Sequence, residues 1–331
     1  MFKILQKLCL SILLLISVPC TTACKAKKNQ VTYSVYPIGY LLERIAGDTI
    51  DIVSIQDSTL IQKATIKDNY EESLDNSAAF FHIGELEPYL SAYSNTIKES
   101  EVQSVHLSAM NAIYNFKRYT KNGDSFLESD YYEGDAFDNI DVNELDLALW
   151  MDPIAMLSMA KDIEQWLVNY YPENESLYSA NLDNLETDLI NLDAQYQNLC
   201  NKLSNSNSTI AFATMSASFG NWQKTYGFEV YPIVLSKYGS LPTEEQLQII
   251  KDRLVQDNVR YLVYEPNMTE DMIELYDSIQ EELDLTRIQL SNLSSETSQE
   301  EADGKDYLSI MYENLSVLST LDPVSYTSET N

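Results

Sequence analysis

Two histidines, four cysteines and fifty-one acids are the side chains with most chemical scope in this 331-residue sequence, and their placement narrows what it can do. His82 follows Phe80-Phe81 and His106 lies in an apolar, strand-like run, with no further histidine to complete a ligand set. Histidines in such settings are more often hydrogen-bonded structural residues than metal ligands, and His106 reads as a core residue. Cys9, Cys20 and Cys24 fall in or next to the apolar start, so only Cys200 lies in the body of the chain. That excludes an internal disulfide framework and a cysteine-based metal cluster. There is no Gly-rich phosphate loop, no Ser-His-Asp arrangement and no Cys-His pair in the body, so an enzyme is not expected.

The beginning of the chain predicts export. Lys3 and Lys7 precede the apolar run Leu8–Val18, a charged n-region followed by an h-region. The run is shorter than the roughly 20 residues that span a bilayer, so it reads as a signal and not an anchor. Thr21-Thr22-Ala23-Cys24 then offers small residues where a signal peptidase reads and a cysteine just past the cut. It resembles a bacterial lipobox, with Thr21 where leucine is usual, which implies a diacylglycerol on Cys24. The alternative is an ordinary secretory cut that leaves Cys24 as a free thiol.

A formal charge of −30 makes nucleic acid an implausible partner and predicts a well-solvated exterior. Strand-like runs at Val31–Tyr36, Asp51–Ile55, Ala78–Ile83 and Val102–Leu107 alternate with helical patterns, which predicts an α/β first half. Residues 123–146 are acid-rich and aperiodic and read as a mobile acidic loop. Asp152-Pro153 then predicts a helix start, with Met156, Ala160, Ile163, Leu167 and Tyr170 on its buried face.

A second helix opens after Pro172. Tyr178, Leu182, Leu185, Leu189, Leu192, Tyr196, Leu199 and Leu203 form one narrow stripe along it. The stripe fits either a spine packed against two lobes or a coiled-coil seam, and the spine is the preferred reading. Strands recur at Thr209–Thr214, Phe228–Val234, Val259–Tyr264 and Thr286–Leu290. The expected fold is therefore α/β, two α/β lobes joined by a single long rigid helix, with a ligand cleft between them.

Several strings in this layout resemble the metal-type solute-binding lipoproteins of ABC transporters, the zinc and manganese receptors. They are Val35-Tyr36-Pro37 with Ile45-Ala46-Gly47-Asp48, the turn Phe80-Phe81-His82-Ile83-Gly84-Glu85-Leu86-Glu87, Trp150-Met151-Asp152-Pro153, and Pro172-Glu173-Asn174 with Tyr178 and Asn181. In the second half they are Phe219-Gly220, Tyr226-Gly227-Phe228, Leu241-Pro242-Thr243, Tyr264-Glu265-Pro266, and Asp306-Tyr307 with Met311 and Asn314-Leu315. The implied organisation is a signal peptide at 1–23, a lipidated tether at 24–30, an N-terminal lobe at 31–171 with the acidic loop 123–146, a linking helix at 172–204 and a C-terminal lobe at 205–331.

Such receptors hold metal with histidines and carboxylates. The resemblance places those ligands at Gln62 or a neighbour, Ala148, Ser216, and Ser291 or Asn292, none of which is histidine or acid. The expected cleft set is Tyr36, Gln62, His82, Ser216, Asn221, Trp222, Glu265, Ser291 and Asn292, which suits a polar organic ligand, or none, better than a transition metal. Glu265 reads equally well as a structural acid capping the next helix. Asp146 or Glu265 meeting His82 would instead make a shifted metal site.

The resemblance implies a monomeric receptor, lipid-anchored on the outer face of the cytoplasmic membrane, that passes a small solute to an ABC permease. Zinc or manganese enters by resemblance only. The alternative is an adhesin-like or sensor lipoprotein on the same scaffold.

Overall fold

The computed structural model describes residues 27–56, 60–84, 87–110, 113–122, 125–146 and 148–325. The signal peptide, Cys24, Glu85 and Leu86 lie outside the described residues. The end of the expected tether is fixed to the fold: Lys27 pairs with Glu173 at 2.7 Å, and Lys28 Nζ donates to the Ser77 carbonyl at 2.9 Å.

The first lobe begins with β1 (Gln30–Tyr33), shorter than its apolar run predicts. Pro37 in the first turn starts α1 (Tyr36–Ala46) and takes Tyr36 out of the strand. There follow β2 (Asp51–Ser54), α2 (Tyr70–Asn76), β3 (Ser77–His82), α3 (Pro88–Glu99) and β4 (Gln103–His106). The strands form one parallel sheet in the order β2-β1-β3-β4.

The chain next crosses to the other lobe and returns. This excursion carries β5 (Tyr114–Asn115), β6 (Arg118–Asn122), β7 (Ser125–Ser129) and β8 (Leu145–Asp146), with β5 pairing β8 and β6 pairing β7. It contains the stretch expected to be a mobile acidic loop, and that expectation is corrected. Phe116, Tyr131 and Tyr132 are buried in the second lobe's core beside Tyr231 and Ile233. Polar ties fix the rest: the Tyr132 hydroxyl donates to the Pro232 carbonyl at 2.9 Å, Gln246 Nε2 to the Ala136 carbonyl at 2.7 Å, and Lys237 pairs with Asp141 at 2.6 Å. The described acids of the stretch other than the buried Asp146 face water while the aromatic rings between them anchor the segment, so it acts as a strap. Residues 123 and 124 of this stretch lie outside the described residues.

Two helices follow. In α4 (Pro153–Tyr170) the Asp152 carboxylate accepts from Ile154 N at 2.8 Å and Ala155 N at 3.4 Å, the expected cap. The second, α5 (Glu175–Asn205), has 31 residues and is about 46 Å long at 1.5 Å per residue. Its buried stripe of Tyr178, Leu185, Leu189, Leu192 and Tyr196 is consumed within the chain, which leaves no seam for a coiled-coil partner. Toward the first lobe, Asp188 pairs with Arg44 and Asn181 Nδ2 donates to the Ile45 carbonyl; toward the second, the Tyr196 hydroxyl donates to the Met311 carbonyl. Cys200, on this helix, is a half-buried free thiol whose pKa burial pushes up to about 12, so it is inert at neutral pH.

The second lobe comprises β9 (Ser208–Thr209), β10 (Ala211–Thr214), α6 (Asn221–Tyr226), β11 (Glu229–Pro232), α7 (Glu244–Gln256), β12 (Tyr261–Tyr264), α8 (Glu270–Leu283), β13 (Thr286–Gln289), α9 (Ser298–Ala302), α10 (Tyr307–Leu318) and β14 (Val324–Ser325). Its parallel sheet runs β11-β10-β12-β13, the same topology as the first. In such sheets ligands sit outside the carboxyl ends of the strands, where the order reverses. No helix among the described residues is long and apolar enough to cross a membrane.

Candidate functional site

The carboxyl ends of β10, β12 and β13 supply Ser216, Glu265 and Asn292, and the three are joined. Glu265 is fully buried; its carboxylate accepts from Ser216 N at 2.7 Å, Ser216 Oγ at 2.5 Å and Asn292 Nδ2 at 2.6 Å. Burial raises its pKa, and these donors oppose the rise. Glu265 is therefore neither an open ligand nor the cap of α8, whose N-cap is Thr269. It clamps three loops at the point where the sheet order reverses. Asn292 is otherwise paired with Asn267 and Ser294, and the Asn314 amide grips the Ser291 backbone in both directions at 2.9 Å.

Across the lobe junction, Gln62 and Ala148 line a narrow pocket of about 10 Å³ with Asp146, Trp150, Ser218 and Lys237. That is room for about one water molecule. Ser218 Oγ is hydrogen-bonded to Ser216 Oγ at 2.9 Å, and Trp150 Nε1 donates to the Asn292 carbonyl at 2.7 Å. Of the positions that the resemblance assigns to metal ligands, Gln62 and Ala148 line this pocket, while Ser216 and Asn292 do not and connect to its lining through Ser218 and Trp150. Gln62 Oε1 is buried there without a hydrogen-bond partner. Ser218 and Asn267, absent from the sequence expectation, complete the network; the closely spaced Ser216 and Ser218 after β10 hint at the first, and nothing local marks the second.

Other expected cleft residues lie elsewhere. Trp222 is corrected: it is fully buried in an aromatic cluster with Phe219, Phe212 and Phe228, and its Nε1 donates to the Met151 carbonyl at 2.7 Å. The spacing of Phe219, Trp222 and Tyr226 along one short helical face was the available signal. Tyr36 is half-buried against the main core, and its hydroxyl pKa is raised by burial and by Glu296. Asn221 donates to Asp146 at 3.0 Å.

His82 ends β3 and His106 ends β4, in register and stacked at 5.2 Å between ring centroids. His106 is also corrected, since β4 is an edge strand and the residue is exposed; its Nε2 contacts the Ile83 carbonyl at 3.0 Å and Ser108 Oγ at 2.6 Å. Neither ring lines the pocket of Gln62 and Ala148. Among the described residues, no three His, Cys, Asp or Glu side chains stand where they could hold a metal.

Asp146 ties the strap to the second lobe. Its carboxylate accepts from Asn221 and from Ala148 N, and it abuts Gly220 so closely that a Cβ there would lie 2.0 Å from Oδ2. Burial pushes its pKa up to about 7. The unfolded chain releases this proton near pH 4 while the fold keeps it to about 7, so stability from this group is full below pH 4 and is lost as pH rises through 7. Asp146→Asn is expected to raise stability near pH 8 by up to roughly 4 kcal/mol and to change little near pH 4. Urea midpoints at the two pH values check this, and an equal effect at both would contradict it.

Comparison with known proteins agrees with the fold. The family described as zinc-uptake complex component A, periplasmic, matches residues 31–321. The zinc-binding lipoprotein AdcA of Streptococcus pneumoniae is 22% identical over 299 residues, covering 88% of this chain and 55% of that protein. The high-affinity zinc uptake system protein ZnuA of Bacillus subtilis is 24% identical over 174 residues, covering 53% of this chain and 52% of that one. The chain spans about half the length of these curated relatives.

Among solved structures, the laminin-binding adhesin Lmb from Streptococcus agalactiae superposes with a TM-score of 0.68 at 20% identity, covering 87% of this chain and 97% of that one. A Zn(II)-bound AdcAII variant of Streptococcus pneumoniae gives 0.69 at 18%, covering 88% and 98%. At such identities the structures speak for the fold, and the family match speaks for descent: the chain belongs to the periplasmic zinc-uptake component A family, metal-type solute-binding proteins of ABC importers.

Proposed function

We propose that this chain is an extracytoplasmic receptor, anchored by lipid at Cys24 on the outer face of the cytoplasmic membrane, that delivers a polar organic solute to an ABC permease and has given up zinc and manganese. One observation carries the reading: none of the side chains at the ligand positions is an imidazole or a carboxylate. Ala148 has no ligating atom, the Asn292 amide oxygen already accepts from Asn267 and Ser294, and Ser216 offers only a hydroxyl oxygen whose proton goes to Glu265. Gln62 retains one amide oxygen, a poor ligand for zinc on its own. Calorimetry of the purified chain with zinc and with manganese, joined to metal analysis, is expected to show no stoichiometric binding tighter than micromolar. Such binding would sink the proposal.

A second reading is a surface adhesin on the same scaffold. What favours it is the likeness to Lmb, described as a bifunctional protein with adhesin and metal transporting activity. Saturable capture of immobilised laminin, with no permease encoded beside the gene, would decide for it.

A further inference from the structure

Beside the narrow pocket lies a much larger chamber, about 980 Å³, between the carboxyl ends of β3 and β4 and the strap. Its size matches that of sites for small organic ligands, and it opens at the ends of parallel strands, where α/β sheets bind. One wall carries three nearly parallel rings. Phe80 stacks on His82 at 5.1 Å and 19°, and His82 on His106 at 5.2 Å and 9°. Gly84 makes the arrangement possible, because a Cβ there would lie 2.3 Å from His106 Nε2.

Burial, then His106, lowers the His82 pKa to about 4, so this ring is neutral at physiological pH, and its Nδ1 is buried without a hydrogen-bond partner. Ser94 and Ser104 also line the chamber, the latter bonded through Oγ to His82 Nε2 at 2.6 Å; Asp141 on the far wall pairs with Lys237 at 2.6 Å, and Glu87, Lys98 and Glu144 line it too. Flat faces and hydroxyls favour a flat, hydrogen-bonding guest over a bare ion.

We propose that this chamber binds a neutral heteroaromatic molecule of nucleobase or pyridine-carboxamide size, its ring against the imidazoles and its polar edge on the serine hydroxyls. The proposal rests on the receptor reading for its purpose, since the guest would be the cargo, but binding is testable by itself. The full mature chain is titrated calorimetrically with adenine, uracil and nicotinamide up to millimolar concentration, while the ring resonances of His82 and His106 are followed by NMR. At least one probe is expected to bind one-to-one and to shift both rings.

His106→Ala should weaken that binding roughly tenfold or more, and His106→Phe, which keeps a ring, should retain most of it. Absence of binding by all three probes to a natively folded chain overturns the proposal, as does binding indifferent to His106→Ala. Zinc titration separates the two readings. Tight zinc binding alongside adenine binding removes the metal-loss reading and leaves the chamber standing; neither zinc nor any probe binding removes the chamber alone.

Discussion

Glu265→Ala is expected to destabilise the fold by roughly 3–5 kcal/mol, because it removes the shared acceptor of Ser216 N, Ser216 Oγ and Asn292 Nδ2 and leaves these buried donors unpaired. Each orphaned group costs about 1–3 kcal/mol, and no water enters the site without opening the loops. Glu265→Gln, isosteric but with an amide that faces a donor, should cost clearly less. Urea unfolding of both variants measures the difference. Equal losses would mean that side-chain volume, and not the acceptor, is what holds these loops.

Trp150→Ala is the second large effect. Trp150 is fully buried at the lobe junction, donates to the Asn292 carbonyl, and its own carbonyl accepts from the Tyr307 hydroxyl at 2.6 Å. The loss of its packing alone amounts to about 3–5 kcal/mol. The bond to the loop of Asn292 goes with it, so the lobes should also unfold less cooperatively. Two resolved transitions, or one broadened transition with a lower m-value, are the expected signature. A sharp single transition shifted by under about 1 kcal/mol would count against this role.

Much of this fold was legible in the sequence. The sheets were marked by apolar runs, α4 by Asp152-Pro153, and α5 by a stripe whose burial needs two lobes. The strap was not, because its β-pairs are short and its anchors, the pair Tyr131-Tyr132 and the isolated Phe137, are scattered among acids without a period; only tertiary packing shows which side of that mixture faces inward. Composition read most of the acids correctly as solvated and missed both the rings and the buried Asp146. His106 was misread for a related reason: a run of strand-formers gives a strand but not its place in the sheet, and β4 is an edge. Glu265 was named, but its task is defined by residues from three strands, which no local spacing reveals.

The strap alters how anything held at the junction can leave. Two bodies joined by one rod can swing about it, but here the chain also passes from the first lobe to the second and back before α5 begins, and Arg118 of the strap is tied to Tyr231 and Asp257 of the second lobe. Those ties oppose a swing of the lobes about α5. For the guest proposed above, exchange would then require a local segment to detach, and its residence time would depend on how firmly Tyr131 and Tyr132 are seated, residues that need never touch it.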